Sequence, residues 1–142
     1  MKVSEWIHKN PGSTITVPPE WELDKIIDRM LSEQCLRDIY VVSEDGNVMG
    51  HLSYKKLARL LLSEHQPVHT RRQIMDRVSE GTAQEIMESH FVFASPDEEL
   101  DNVLYRQLDR DIEDMPVIDD ESKLLGTVNM TAALKAMRKS SI

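Results

Sequence analysis

Residues 19–31 read Pro19-Glu20-Trp21-Glu22-Leu23-Asp24-Lys25-Ile26-Ile27-Asp28-Arg29-Met30-Leu31, with apolar side chains at Leu23, Ile26, Ile27, Met30 and Leu31. That is the spacing of one helix face. From Pro96 the pattern returns about 77 positions on, at Leu100, Val103, Leu104 and Leu108, with Gln107 in the place of Met30. Both helices are expected to open at a proline followed by acids, as a first turn and its dipole prefer.

The repeat extends outward from these helices. Each is followed by a short run suited to a pleated surface, Ile39-Tyr40-Val41-Val42 and Met115-Pro116-Val117-Ile118. Acidic and polar turns come next, at 43–47 and 119–123. A second run with a glycine step follows each turn, Val48-Met49-Gly50-His51-Leu52 and Leu124-Leu125-Gly126-Thr127-Val128. These predict two hairpins. Each leads into a helix, Tyr54–Leu62 with Leu57, Leu60 and Leu61 inward and Met130–Met137 with Leu134 and Met137 inward. Ahead of each first helix, Ile15-Thr16-Val17 and Phe91-Val92-Phe93 read as strands. The unit is therefore β-α-β-β-α written twice. The fold class is α+β, with repeats over 1–64 and 82–142 packed about a pseudo-twofold axis and a connector over 65–81. Thr70 to Glu80 in that connector read as a further short helix, capped by Thr70.

The totals set bounds on function. A chain of 142 residues, 40% hydrophobic and 30% charged, is one ordinary globular domain with no apolar run of membrane-spanning length. The first six residues carry no secretory signal pattern, which makes the cytoplasm the expected compartment. The net charge of −8 falls mainly on 82–142, which carries about −7. Without a basic stripe, neither nucleic acid nor an anionic membrane is an expected partner.

Sites of chemistry are sparse. Cys35 is the single cysteine, so no internal disulfide or cysteine metal frame is possible, and it reads as packing. His65 and His69 have metal-ligand spacing, but Pro67 between them makes a loop pair the better reading. The run Asp109-Arg110-Asp111-Ile112-Glu113-Asp114 lacks the glycine and alternate spacing of a calcium loop. Trp6 and Trp21 read as packing residues. No set of acid, base and nucleophile assembles, so an enzyme is not expected.

The doubled unit resembles a tandem pair of cystathionine β-synthase (CBS) domains, a Bateman module. The resemblance rests on features matched in each copy. They are the lead-ins Val3-Ser4-Glu5-Trp6-Ile7 and Ala83-Gln84-Glu85-Ile86-Met87, the strand and helix after them, the hairpin run typified by Met115-Pro116-Val117-Ile118-Asp119, and the Gly50 and Gly126 steps. It implies a regulatory, homodimeric module whose clefts between copies take AMP, ADP, ATP or S-adenosylmethionine, and which acts on an enzyme or transporter. By the same resemblance, the candidate ligand-binding residues are Thr16, Val17, Tyr40, Ser53, Lys55, Lys56, Pro116, Asn129 and Thr131.

Within the family's glycine–threonine–aspartate step, the hydroxyl lies near phosphate and the aspartate binds ribose. Here the first copy reads Gly50-His51-Leu52-Ser53-Tyr54-Lys55-Lys56, with Lys56 at the aspartate position. The second reads Gly126-Thr127-Val128-Asn129-Met130-Thr131-Ala132, with Ala132 there. Ser53 and the two lysines suit an anion at a helix N-terminus, while the plain alternative is a helix cap and a solvated face. Two functions therefore stay open: a sensor of an adenosyl nucleotide or other anion, working unequally through the first copy, or a ligand-free dimerisation module.

Overall fold

The computed structural model describes residues 1–12, 14–32, 37–64 and 81–140. The connector helix expected over 70–80, His65, His69 and Cys35 lie outside them. Among the described residues eleven elements follow in order: α1 (Val3–Lys9), β1 (Ile15–Val17), α2 (Leu23–Leu31), β2 (Ile39–Val42), β3 (Val48–Leu52), α3 (Tyr54–Glu64), α4 (Ala83–Ile86), α5 (Leu100–Arg110), β4 (Asp114–Ile118), β5 (Leu124–Asn129) and α6 (Met130–Ser140). No helix among the described residues is long and apolar enough to cross a membrane.

These elements pack as two units, residues 15–91 and residues 1–14 with 92–142. The units do not follow the ends of the sequence repeats, because each lead-in helix packs on the other copy's hairpin. In the 15–91 unit β1 pairs parallel with β2 and β2 antiparallel with β3. Leu23, Ile26, Ile27 and Met30 of α2, Leu57 of α3, and Ala83 and Ile86 of α4 close one apolar core over that sheet. Burying each large side chain contributes about 1.5–3 kcal/mol. In the other unit β4 and β5 form an antiparallel pair. Its core joins Val3 and Trp6 of α1 to Val103, Leu104, Met115, Val117, Val128 and Ala133.

Around the lead-in helices the duplication is repeated bond for bond. Val3 N–H donates to Glu98 O at 2.9 Å, Ser4 N–H to Pro96 O at 3.0 Å and Leu100 N–H to Met1 O at 2.9 Å. In the 15–91 unit Ala83 N–H donates to Trp21 O at 2.8 Å, Gln84 N–H to Pro19 O at 2.9 Å and Leu23 N–H to Gly81 O at 3.0 Å. The two prolines therefore do not open helices. They stand in the turns before α2 and α5, and their carbonyls receive the lead-in amides; the N-caps are Glu22 and Glu99.

Three other expectations are corrected. Phe91-Val92-Phe93 is not a strand, and the third position of that sheet shrinks to a single parallel bridge between Ala94 and Val117. Ala94 N–H donates to Pro116 O and Ile118 N–H to Ala94 O, each at 2.9 Å. Continuing that ladder toward Val92 requires an amide N–H from residue 116, and a proline has none. Leu31 and Leu108, expected inward, are 62% and 65% exposed at the same point of their helices. Leu134 and Met137 are also exposed, because α6 turns its alanines inward, with Ala133 buried and Ala132 and Ala136 beside it.

Gln107 occupies Met30's place and is fully buried. Its Nε2 donates to Glu113 O and Val128 O at 3.1 Å and lies 3.4 Å from Ile112 O, so one side chain ties the end of α5 to β5.

Candidate functional site

The candidate residues of the first copy gather at one end of the β2–β3 hairpin. Thr16 is exposed on β1 and pairs with Tyr40, while Val17 is buried. Tyr40 is itself buried and sits opposite His51 on β3. Its ring centroid lies 5.4 Å from that of His51 and 6.3 Å from that of Phe91; the His51 and Phe91 rings are 5.9 Å apart. Tilted contacts at these distances are favourable for aromatic pairs. The free edge of β3 is covered at His51, whose backbone exchanges two 2.9 Å hydrogen bonds with Glu88.

Ser53 follows the strand and caps α3. Its Oγ accepts the Lys56 N–H at 3.1 Å, and its carbonyl accepts the Leu57 N–H at 3.1 Å. This leaves Lys55 exposed and Lys56 half-buried on the first turn. Asp38, just before β2, completes the cap. Its Oδ1 accepts the Tyr54 N–H at 3.1 Å, and its Oδ2 lies 3.1 Å from His51 Nε2. Burial pushes the Asp38 carboxyl up. Hydrogen bonds from His51 and Tyr54, with the charges of His51 and Lys55, outweigh it and hold the group below the usual aspartate value.

The second copy builds the same corner with Asn129 in the place of Ser53 and Asp114 in the place of Asp38. Asn129 Oδ1 accepts the Ala132 N–H at 2.9 Å, and Asn129 Nδ2 donates to Asp114 Oδ1 at 2.8 Å. Met130 N–H donates to Glu113 O at 2.9 Å. Pro116 is buried opposite Thr127, and Thr131 is exposed on the first turn of α6. Pro116, Asn129 and Thr131 thus lie in the unit of residues 1–14 and 92–142, the other six candidates in the unit of 15–91.

Asp38, His51 and Phe91 were not among the residues singled out from the sequence. One signal pointed to Asp38: an aspartate stands in the same place before each hairpin, Asp38 and Asp114. Nothing in the sequence paired Phe91 with Tyr40, since that run reads as the second copy's strand. Among the described residues no group of three or more His, Cys, Asp or Glu is placed to hold a metal ion.

Comparisons agree with this architecture. The CBS domain family matches residues 3–63 and 83–139. No curated protein matches the sequence. The fold is similar to the crystal structure of CBSX2 in complex with AMP, at a TM-score of 0.80 and 15% identity over 99% of this chain and 98% of that one. It is similar to the CBS domain pair of protein MJ0100 in complex with 5′-methylthioadenosine and S-adenosyl-L-methionine, at 0.72 and 18% over 99% and 98%. A CBS domain-containing protein from Thermotoga maritima matches at 0.71 and 23%, over 98% of this chain and 95% of that one.

Proposed function

Because the chain belongs to the CBS domain family and carries the family's repeat twice, we propose that it is a regulatory module that takes an adenosyl compound and passes the effect to a partner protein. Family membership over both repeats carries this reading. The structures it resembles, holding AMP in one case and S-adenosyl-L-methionine with 5′-methylthioadenosine in another, support the ligand class. The first copy is the binding one, with Thr16, Val17, Tyr40, Ser53, Lys55 and Lys56 around the ligand, and Pro116, Asn129 and Thr131 its counterparts in the second. The module works as a homodimer in the cytoplasm, on an enzyme or transporter.

A thermal-shift panel of AMP, ADP, ATP, S-adenosylmethionine and NADH tests the proposal. Ligand at about 100 times its dissociation constant adds about 2.7 kcal/mol to stability, so a genuine ligand raises the melting temperature clearly. A panel in which nothing shifts it rejects the sensor.

A ligand-free dimerisation module is the second reading. It is favoured by Lys56 and Ala132, which stand where a ribose-binding aspartate is expected. An unliganded dimer in light scattering, unmoved by the panel, is its signature.

A further inference from the structure

We infer that Asp38 makes the first copy selective against phosphate, so that the adenosyl compound it takes presents a nucleoside or thioether rather than a phosphate to the start of α3. The inference rests on the adenosyl reading above and narrows it.

The free amides of a helix N-terminus attract anions when they lack partners. At the start of α3 the chain itself supplies partners for two of them: Tyr54 N–H is bound by Asp38 Oδ1 and Lys56 N–H by Ser53 Oγ, each at 3.1 Å, and the Leu57 N–H makes the first bond within the helix, to Ser53 O. The carboxylate is the decisive member. It is a resident anion on the first turn, and it is fixed from its other oxygen by His51 Nε2 at 3.1 Å. An arriving phosphate must either displace it from Tyr54 or lie beside it, and like charges at such distances repel. The corner of the second copy shows that a carboxylate on the amide is not required by the fold. There Asp114 binds Asn129 Nδ2, and the first amide of α6 goes to the Glu113 carbonyl instead.

The test uses the full chain and reads both ligand affinity and the backbone amide signals of Tyr54 to Leu57 by NMR. The probes are inorganic phosphate, adenosine, AMP and S-adenosylmethionine. For the wild type, adenosine and AMP bind within about threefold of each other, and phosphate produces no saturable shift of those amides. In Asp38→Ala the exposed amide accepts phosphate, and AMP gains about tenfold over adenosine. Asp38→Asn, nearly isosteric, guards against loss of folding and shows a smaller gain in the same direction. Wild-type AMP binding more than tenfold tighter than adenosine, saturable phosphate binding at Tyr54 in the wild type, or no gain in either variant overturns the inference. Should no adenosyl compound bind the wild type, the regulatory reading fails, and the phosphate titrations of wild type and variants still decide the role of Asp38.

Discussion

Met87 fills the space that a side chain at Gly50 would need. A Cβ at Gly50 would stand 2.5 Å from Met87 Sδ and 2.9 Å from Met87 Cβ. The sulfur can swing aside, but the Cβ moves only with α4 and its backbone. Gly50→Ala is therefore expected to destabilise the protein by about 1–3 kcal/mol, the usual range for overpacking. In urea denaturation the double variant with Met87→Ala should recover part of that loss, and strictly additive losses would show that the two residues do not press on one another.

Acid should act on the Asp38 corner with a definite sign. Its folded-state pKa lies below the ordinary value of 3.8, so its contribution to stability is fully present above that value and is lost as pH falls through the lower folded one. Glu98 adds to the same trend. Burial raises its pKa, but the Arg106 guanidinium and the Ser95 N–H outweigh this and bring it below 4.5. Unfolding free energy measured against pH should fall below about pH 4, and less steeply in Asp38→Asn. Parallel curves for the two proteins would remove Asp38 from the account.

Gln107 gives a prediction that runs against the precedent of its own repeat. Methionine serves at the equivalent Met30, yet Gln107→Met leaves the carbonyls of Glu113 and Val128 without the Nε2 donor they share. The side chain's own Oε1 is buried with no partner among the described residues, which returns some of the loss when the amide is removed. The expected net cost is about 1–2 kcal/mol, measured by chemical denaturation. A variant as stable as the wild type would mean that the bonds contribute nothing net.

Ser122 occupies the left-handed region at φ 63°, where the first hairpin uses Gly46 at φ 88°. Glycine holds that conformation without a Cβ clash, although it loses more chain entropy on folding. Ser122→Gly is expected to raise stability by about 0.5 kcal/mol, visible as a later denaturation midpoint with an unchanged slope.

How much of this was legible beforehand depends on whether the signal was local. The hairpins and the buried faces of α2 and α5 follow from periodicity, and residues such as Ile26 and Val103 are where the spacing puts them. The exposed ends of those faces, Leu31 and Leu108, follow from which neighbours come near, which spacing does not contain. Phe91-Val92-Phe93 has strand composition, but the missing proton on Pro116, some two dozen residues away, decides its fate. At the candidate site Ser53 and Asn129 are the caps their residue types suggest. The recurrence of an aspartate at Asp38 and Asp114 is a faint signal, but the pairing of Asp38 with His51 arises only when the hairpin brings them together.

The reciprocal lodging of α1 and α4 carries a consequence for the origin and dissection of the chain. Cut between the repeats, each half would keep a lead-in helix it does not itself use and lack the one that covers its own glycine step, Gly50 or Gly126. Fragments 1–64 and 81–142 should thus be poorly folded alone and regain structure when mixed, each lending the other its missing helix. Two identical half-length chains could complete one another by trading helices in the same way.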